Sequence, residues 1–313
     1  MFKKLLTIAV ILFIAAGTNA KEVKNMETIK LVYPVWQGGV NPDYYLGSKL
    51  LSVIVPENKN IETVEISVNT NFTDDMKTVD GVDYGDILLS QKQETLKVLN
   101  EKNPKKIIVI GGDCSVSEAP FDYLHSIYGD KLGILWLDAH PDVSDTKNSS
   151  HLHEMVLGNL LGLSQKSDIT RVGKPFAQNK VMFAGLIEKD LRTEAQDSNI
   201  KNLNIKIAAP EQLAENSELI LNWIKENNIK YLAIHWDLDV LSKEDYRSNT
   251  QSKPHMTKAE YPAAMGELSL NQVARILKDV SCEAEIVGLT IAEHMPYDAI
   301  NLRNILKEVS IFK

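Results

Sequence analysis

Three short polar islands carry the residues best suited to chemistry: Gly111-Gly112-Asp113-Cys114-Ser115, Asp138-Ala139-His140-Pro141-Asp142 and Asp237-Leu238-Asp239. Asp138, His140, Asp142, Asp237 and Asp239 are hard or borderline metal donors, and Cys114 is a soft one. Side chains two apart on an extended segment face the same way, so Asp138, His140 and Asp142 can point into one site. Burying three ionisable groups at the end of an apolar run is costly without a cation. Asp237 and Asp239 repeat the arrangement, and two like charges that close favour a cation between them. Each island alone also reads as a solvated turn, and a single cysteine is more often a small buried hydrophobe than a ligand. Gly111-Gly112 lets the backbone turn sharply, with Asp113 placed to bond that turn and Cys114 to reach inward.

Each island follows an apolar run that reads as a buried parallel strand: 106–110, 132–137 and 230–236. Loops at the carboxyl ends of parallel strands are where open α/β sheets bind ligands. The rest of the chain alternates in the same way. Further strands are expected at 29–33, 61–68, 180–183, 204–208 and 284–291. Helices are expected at 44–55, 84–101, 117–127, from about 154, 211–226 after Pro210, 270–279 and 299–309. Such alternation predicts a parallel sheet covered on both faces.

Residues 1–20 read as a secretory signal peptide cut after Ala20. Lys3 and Lys4 open it, an apolar run follows, and Thr18-Asn19-Ala20 ends it. An uncut anchor is the alternative, but the apolar run is shorter than the roughly 20 residues a span needs. The remainder, 21–313, is then one exported catalytic domain, periplasmic or secreted, with no membrane association after cleavage. The net charge of −8 argues against a nucleic-acid partner, which would want a basic face. On count alone Cys114 and Cys282 could pair in an oxidising compartment. Cys282 reads as the start of the strand-like run 282–291, and Cys114 has a better use as a ligand, where a metal would protect its thiolate.

In combination, Gly-Gly-Asp-Cys-Ser, Asp-Ala-His-Pro-Asp and Asp-Leu-Asp resemble the motifs of the ureohydrolase family of arginases, agmatinases and formimidoylglutamases. The family pattern is Gly-Gly-Asp-His-Ser, Asp-Ala-His-x-Asp and Asp-x-Asp, in this order and at similar separations. The resemblance implies an α/β fold of three α/β/α layers with a parallel sheet of about eight strands. It also implies two divalent metal ions, manganese in the family, and hydrolysis of a C–N bond in a small cationic guanidino compound. Arginine-like and N-hydroxyarginine-like substrates would release urea or a urea analogue and an amine. By position, the resemblance implies that Asp142 and Cys114 hold the first metal and that His140 and part of the Asp237/Asp239 pair hold the second, with Asp138 and Asp237 as bridges. His153 matches the family's proton-relaying histidine, and Glu293 matches the glutamate that pairs with the guanidinium. Asp142 would accept a proton during attack. Family members often form trimers or hexamers, which implies a homo-oligomer. A formimino or amide hydrolase, or a metal-poor relative that binds its ligand without cleaving it, are the alternative readings.

The chain departs from the family pattern at several places. Cys114 stands at the position of the first metal-ligand histidine. Four carboxylates and one thiolate then face two divalent cations, an excess of negative charge that lowers Lewis acidity. A soft ligand also moves preference from manganese toward zinc or iron. Ser144 and His151 stand where arginases often carry asparagines that read the substrate carboxylate, while Ser149 is retained. Glu154 follows His153 where glycine is usual, and the 142–153 segment is shorter than in arginases. Glu188, Asp190 and Glu194 fall in the segment that binds the α-amino group in arginases.

Overall fold

Short runs of β-branched and aliphatic residues form the strands of this protein, and amphipathic runs form the helices that cover them. The computed structural model describes residues 27–312 except 74, 192–193 and 258, without the side chains of 194–198. The signal peptide read at 1–20 lies outside the described residues. In chain order the elements are β1 (Thr28–Tyr33), α1 (Asp43–Ile54), β2 (Glu62–Glu65), β3 (Thr78–Val79), β4 (Val82–Asp83) and α2 (Gly85–Lys102). There follow β5 (Lys106–Gly111), α3 (Glu118–Tyr128), β6 (Leu132–Leu137), α4 (Val156–Leu160), β7 (Val181–Ala184) and α5 (Glu194–Leu203). The chain closes with β8 (Lys206–Ala208), α6 (Glu218–Glu226), β9 (Tyr231–Asp237), α7 (Leu270–Glu283), β10 (Glu285–Ala292) and α8 (Tyr297–Glu308).

Eight strands form one sheet in the order β2-β1-β5-β10-β9-β6-β7-β8. Every pairing in it is parallel. Alternation along β6 shows how both faces are used. Leu132, Ile134 and Trp136 enter a core shared with Leu88 of α2 and Phe121 of α3. Leu135 and Leu137 enter a second core with Trp223 of α6 and Ile276 of α7. The α/β fold expected from the motifs, a parallel sheet between helical layers, is therefore the one observed. No helix among the described residues is long and apolar enough to cross a membrane.

Two local expectations need correction. The helix expected over 211–226 is interrupted: Pro210–Leu213 is a short 3-10 turn, and α6 starts only at Glu218. Arg275 of α7 takes up the carbonyls of Leu213 and Ala214, and Ser217 Oγ donates to Asp279 at 2.8 Å, so tertiary partners replace the helical ladder. Cys282 does not open a strand. It lies in α7, whose start is fixed by a reciprocal cap in which Ser269 Oγ accepts from Gln272 N and Gln272 Oε1 accepts from Ser269 N. Helix α5 and the small antiparallel pair β3–β4 were not anticipated.

Gly112 is needed for close approach rather than for an unusual backbone angle. A Cβ there would sit 1.7 Å from Val35 O. Its N–H donates to Tyr33 O and its carbonyl accepts from Glu293 N at 2.8 Å, so it ties the ends of β1, β5 and β10 together. Gly112→Ala is expected to destabilise the fold by at least about 3 kcal/mol, because overpacking against backbone cannot relax by rotamer change. Urea unfolding midpoints of the two proteins check this, and an unchanged midpoint would contradict it.

Candidate metal centre

The central four strands, β5, β10, β9 and β6, end at one level. Ile291 lies beside Ile110, Ala292 beside Asp237, and Trp236 beside Leu137. Each strand delivers donors to the same place. Cys114 opens the 3-10 turn Cys114–Ser117 after β5, and Glu293 follows β10. Asp237 ends β9 with Asp239 in the turn Leu238–Val240, while Asp138, His140 and Asp142 follow β6.

One local device shapes all three islands. In each, a leading aspartate turns back on the backbone two residues ahead. Asp113 Oδ1 accepts from Ser115 N at 3.0 Å, Asp138 Oδ1 from His140 N at 2.7 Å, and Asp237 Oδ1 from Asp239 N at 2.7 Å. The second oxygens then face other partners. Asp237 Oδ2 accepts from Cys114 Sγ at 2.9 Å, and Asp138 Oδ2 accepts from Trp136 Nε1 at 3.0 Å. Asp113 Oδ2 instead accepts from Gly39 N at 3.0 Å, which docks the loop after β1 onto the site. Asp142 and Glu293 both hold left-handed backbone, with φ of 46° and 60°. For residues other than glycine this is a strained conformation of the kind that gathers at functional sites.

Donor atoms converge in three groups, each within 4.8 Å: Cys114, Asp138, His235 and Asp237; Asp138, His140 and Asp239; and Asp237, Asp239 and Glu293. Asp142 joins none of these groups but lines the same cavity. Several buried atoms here have no hydrogen-bond partner: His140 Nε2, Asp142 Oδ2, Asp239 Oδ1 and His235 Nε2. Each is a lone-pair donor, and leaving such groups unmatched in a dry site is costly. Carboxylate oxygens, imidazole nitrogens and one sulfur in this arrangement fit divalent cations.

The electrostatics of the metal-free site point the same way. Burial, then the neighbouring Asp239, raises Asp138 to about 7. Burial and Asp239 likewise raise Glu293 to about 8. Burial and surrounding carboxylates push Asp142 and Asp237 well above the usual carboxylate range. Burial, Asp237 and Glu293 push the Cys114 thiol up. Against its own burial, Asp239 is held low by His140, whose Nδ1 lies 2.9 Å from Asp239 Oδ2. His140 is raised in turn, burial opposing and Asp239 prevailing. Burial, against the opposing pull of Asp239, pushes His235 down to about 3.

The cavity above the donors holds about 200 Å³ and is lined by Tyr44, Cys114, His140, Asp142, His153 and Glu293, among others. Of the residues expected to bind substrate, His151 and Glu293 line it. Ser144, Ser149, Glu188 and Asp190 do not. Ser149 Oγ accepts from His151 N at 3.1 Å, and Ser144 is buried with its N–H on Glu154 O. Glu188 and Asp190 form a 3-10 turn beyond β7, where Glu188 borders a different cavity. The side chain of Glu194 is outside the described residues. His153 sits at the mouth, its Nδ1–H donating to Gly38 O at 2.8 Å.

Motif reading missed Tyr44, whose OH donates to Glu293 Oε2 at 2.8 Å across 249 positions of sequence, as well as Thr250 and Tyr261, which also line the cavity. Nothing local to these three residues signals a site. His235 was missed despite a signal, since it lies two residues before Asp237 on a strand and shares its face.

With this geometry in place, the relationship to known proteins is specific. The chain belongs to the arginase family, whose model matches residues 52–254. Arginase 2, chloroplastic/mitochondrial, of Arabidopsis thaliana is 24% identical over 219 residues, covering 69% of this chain and 55% of that protein. The chain thus matches about half the length of its curated relatives. The Entamoeba histolytica arginase structure, in complex with L-ornithine, aligns with a TM-score of 0.68 at 18% identity, covering 90% of this chain and 96% of that one. Formimidoylglutamase from Bacillus subtilis aligns with a TM-score of 0.59 at 16% identity, covering 86% and 79%. These structures share the fold.

Metal and protons compete for the same atoms, which sets a pH dependence. Unfolded carboxyls titrate near 4, whereas Asp138 and Glu293 titrate near 7 and 8 in the metal-free fold. The folded state binds the extra protons between those limits. Its advantage is therefore complete below about pH 4 and is lost as pH rises through 7 to 8. In chelator the melting temperature should fall from pH 5.5 to pH 8, and the gain on adding Mn²⁺ or Zn²⁺ should grow over the same range. Thermal melts at both pH values test this; a metal-induced gain that shrinks with pH would refute it.

Proposed function

We propose that the protein is a dinuclear-metal amidinohydrolase that cleaves a C–N bond of a small guanidino compound. The observation that carries this reading is the convergence of donor atoms from four adjacent strand ends beneath a cavity lined by Glu293, with those of His140, Asp142, His235 and Asp239 lacking a hydrogen-bond partner. Cys114, Asp138, His140, Asp142, Asp237 and Asp239 would hold two divalent cations, manganese by family habit, with zinc or iron favoured by the thiolate. Bound cations supply Lewis acidity and a water made nucleophilic near neutral pH.

The chain's own groups do the rest. Glu293, braced by Tyr44, accepts N–H bonds from the planar guanidinium and presents its central carbon to the donors. Asp142 takes the proton released by the attacking water. His153 keeps Nδ1–H on Gly38 O, so it acts as the imidazolium through Nε2, passing that proton to the departing amine and regaining one from solvent. The products are urea, or a urea analogue, and an amine. A volume of about 200 Å³ suits a small substrate held chiefly by its guanidinium end. Among the described residues expected to read an amino-acid backbone, only His151 borders that volume, so a substrate without an α-amino acid group fits at least as well as arginine. Export by the leader at 1–20 belongs to the same proposal.

Purified protein loaded with Mn²⁺, Zn²⁺ or Fe²⁺ should release urea or ammonia from at least one of arginine, N-hydroxyarginine, agmatine, guanidinobutyrate or formiminoglutamate. A fully loaded protein silent on all five would end this reading. On the substrate found, Glu293→Gln should lower kcat/KM by about 100-fold or more, the scale for losing one partner of a desolvated charge pair. His153→Ala should lower kcat by about 100-fold. Cys114→His should raise manganese content relative to zinc and move the acid limb of the rate profile to lower pH, because a neutral ligand restores Lewis acidity. Metal analysis and pH profiles read both effects, and a higher manganese content with an unmoved profile would disprove the charge account.

A further inference from the structure

His235 lies one pleat beneath Asp237 on β9, directly beside Trp136 of β6. Strand alternation puts His235 and Asp237 on one face, with Trp136 and Asp138 of the neighbouring strand on the same side. The His235 ring stacks on Trp136 with centroids 3.7 Å apart and planes 9° from parallel. It is wholly buried. On its far side Nδ1 lies 2.7 Å from Ser117 Oγ, and Ser117 belongs to the same 3-10 turn as Cys114.

The other nitrogen, Nε2, has no hydrogen-bond partner. Its nearby anion, Asp138 Oδ2, is 3.7 Å away and already accepts from Trp136, too far for a hydrogen bond yet close enough to share an ion. One donor atom from each of Cys114, Asp138, His235 and Asp237 lies within 4.8 Å of the others. An imidazole clamped on two sides, with a lone donor atom in a dry interior, is a poor design for packing alone.

We infer that His235 is a further metal ligand, completing a four-donor site with Cys114, Asp138 and Asp237 on the floor of the sheet. The inference rests on the metal-binding reading above. It adds a second imidazole, from beneath the site, to the one that His140 supplies. Ser117 Oγ can accept from Nδ1–H, and that tautomer offers Nε2 to a cation, the usual arrangement around a ligating histidine. A thiolate, an imidazole and two carboxylates form a set suited to zinc, iron or cobalt. An imidazole ligates as a neutral donor, so it strengthens binding without adding to the negative excess around the site.

Two experiments decide the matter. The wild-type protein labelled with ¹⁵N-histidine and titrated with Zn²⁺ reports on all seven histidines. The expected result is metal-shifted nitrogen resonances from both His140 and His235, whereas a shift of His140 alone overturns the inference and leaves the metal centre standing. In parallel, Co²⁺ is titrated into chelator-treated wild type and His235→Gln. One equivalent should bind at least about tenfold more weakly in the variant, with a changed visible spectrum, since even outer-shell losses cost this much. Equal affinity and an identical spectrum overturn the inference. If His235→Gln does not fold, the labelled wild type decides. A wild type that takes up no cation overturns both the metal reading and this one.

Discussion

Mutual repulsion among buried acids is the constraint that the rest of the structure answers. Asp138, Asp142, Asp237, Asp239 and Glu293 are all nearly devoid of solvent, together with the Cys114 thiol. Without a cation, most of these groups are driven toward their protonated forms by burial and by one another. No soluble core gathers such a set by default, because each charge withdrawn from water carries a large desolvation cost. The sheet makes the gathering unavoidable. β5, β10, β9 and β6 are neighbours, their registers place their carboxyl ends together, and their apolar bodies fix those registers through two cores. Moving any strand by one residue would invert its faces and remove its donors from the site.

Rigid strands alone do not aim side chains, and the chain spends local strain to do so. The aspartate turns at 113, 138 and 237 bend each loop within two residues of its strand, so the donors stay at the sheet edge instead of drifting outward. Left-handed backbone at Asp142 and Glu293 redirects two more carboxylates. Gly112 accepts the Glu293 N–H through its carbonyl, so the sharpest close approach in the loop after β5 also locates the acid at the end of β10. Tyr44 then orients the carboxylate itself. The site is held by interactions between segments far apart in sequence, and the sheet is what makes those segments neighbours.

Much of this was legible in the residues. Strands with continuous apolar runs, such as Leu132–Leu137, declared themselves as fully buried, and the polar islands marked their carboxyl ends. What escaped shares one physical cause: dependence on partners distant in sequence. The helix expected over 211–226 has good local propensity, yet Arg275 and Asp279 claim the backbone and the serine at its middle. Tyr44 sits in the first turn of α1 like any amphipathic residue, and only the fold reveals Glu293 opposite it. Cys282 looked like a strand residue because the apolar character of β10 blurs into the end of α7. His235 was hidden differently. Inside an apolar run a single histidine reads as filler, and only the register with Trp136 and the turn bearing Ser117 show that its ring is held fast.

In the proposed metal centre, Cys114 is the ligand at which a proton and a cation would compete. Its Sγ donates to Asp237 Oδ2 at 2.9 Å and lies 3.4 Å from Glu293 Oε1. The proton on sulfur therefore occupies the space between a thiol and two carboxylates, the same space that a cation would fill. Exchanging that proton for a divalent ion would reduce the negative charge there by one. Burial raises the thiol's hold on its proton, so a weakly bound or hard cation competes poorly, while a thiophilic one displaces it readily. In the proposed metal centre, uptake at Cys114 would therefore release a proton, and metal choice would depend on that proton as well as on ligand geometry.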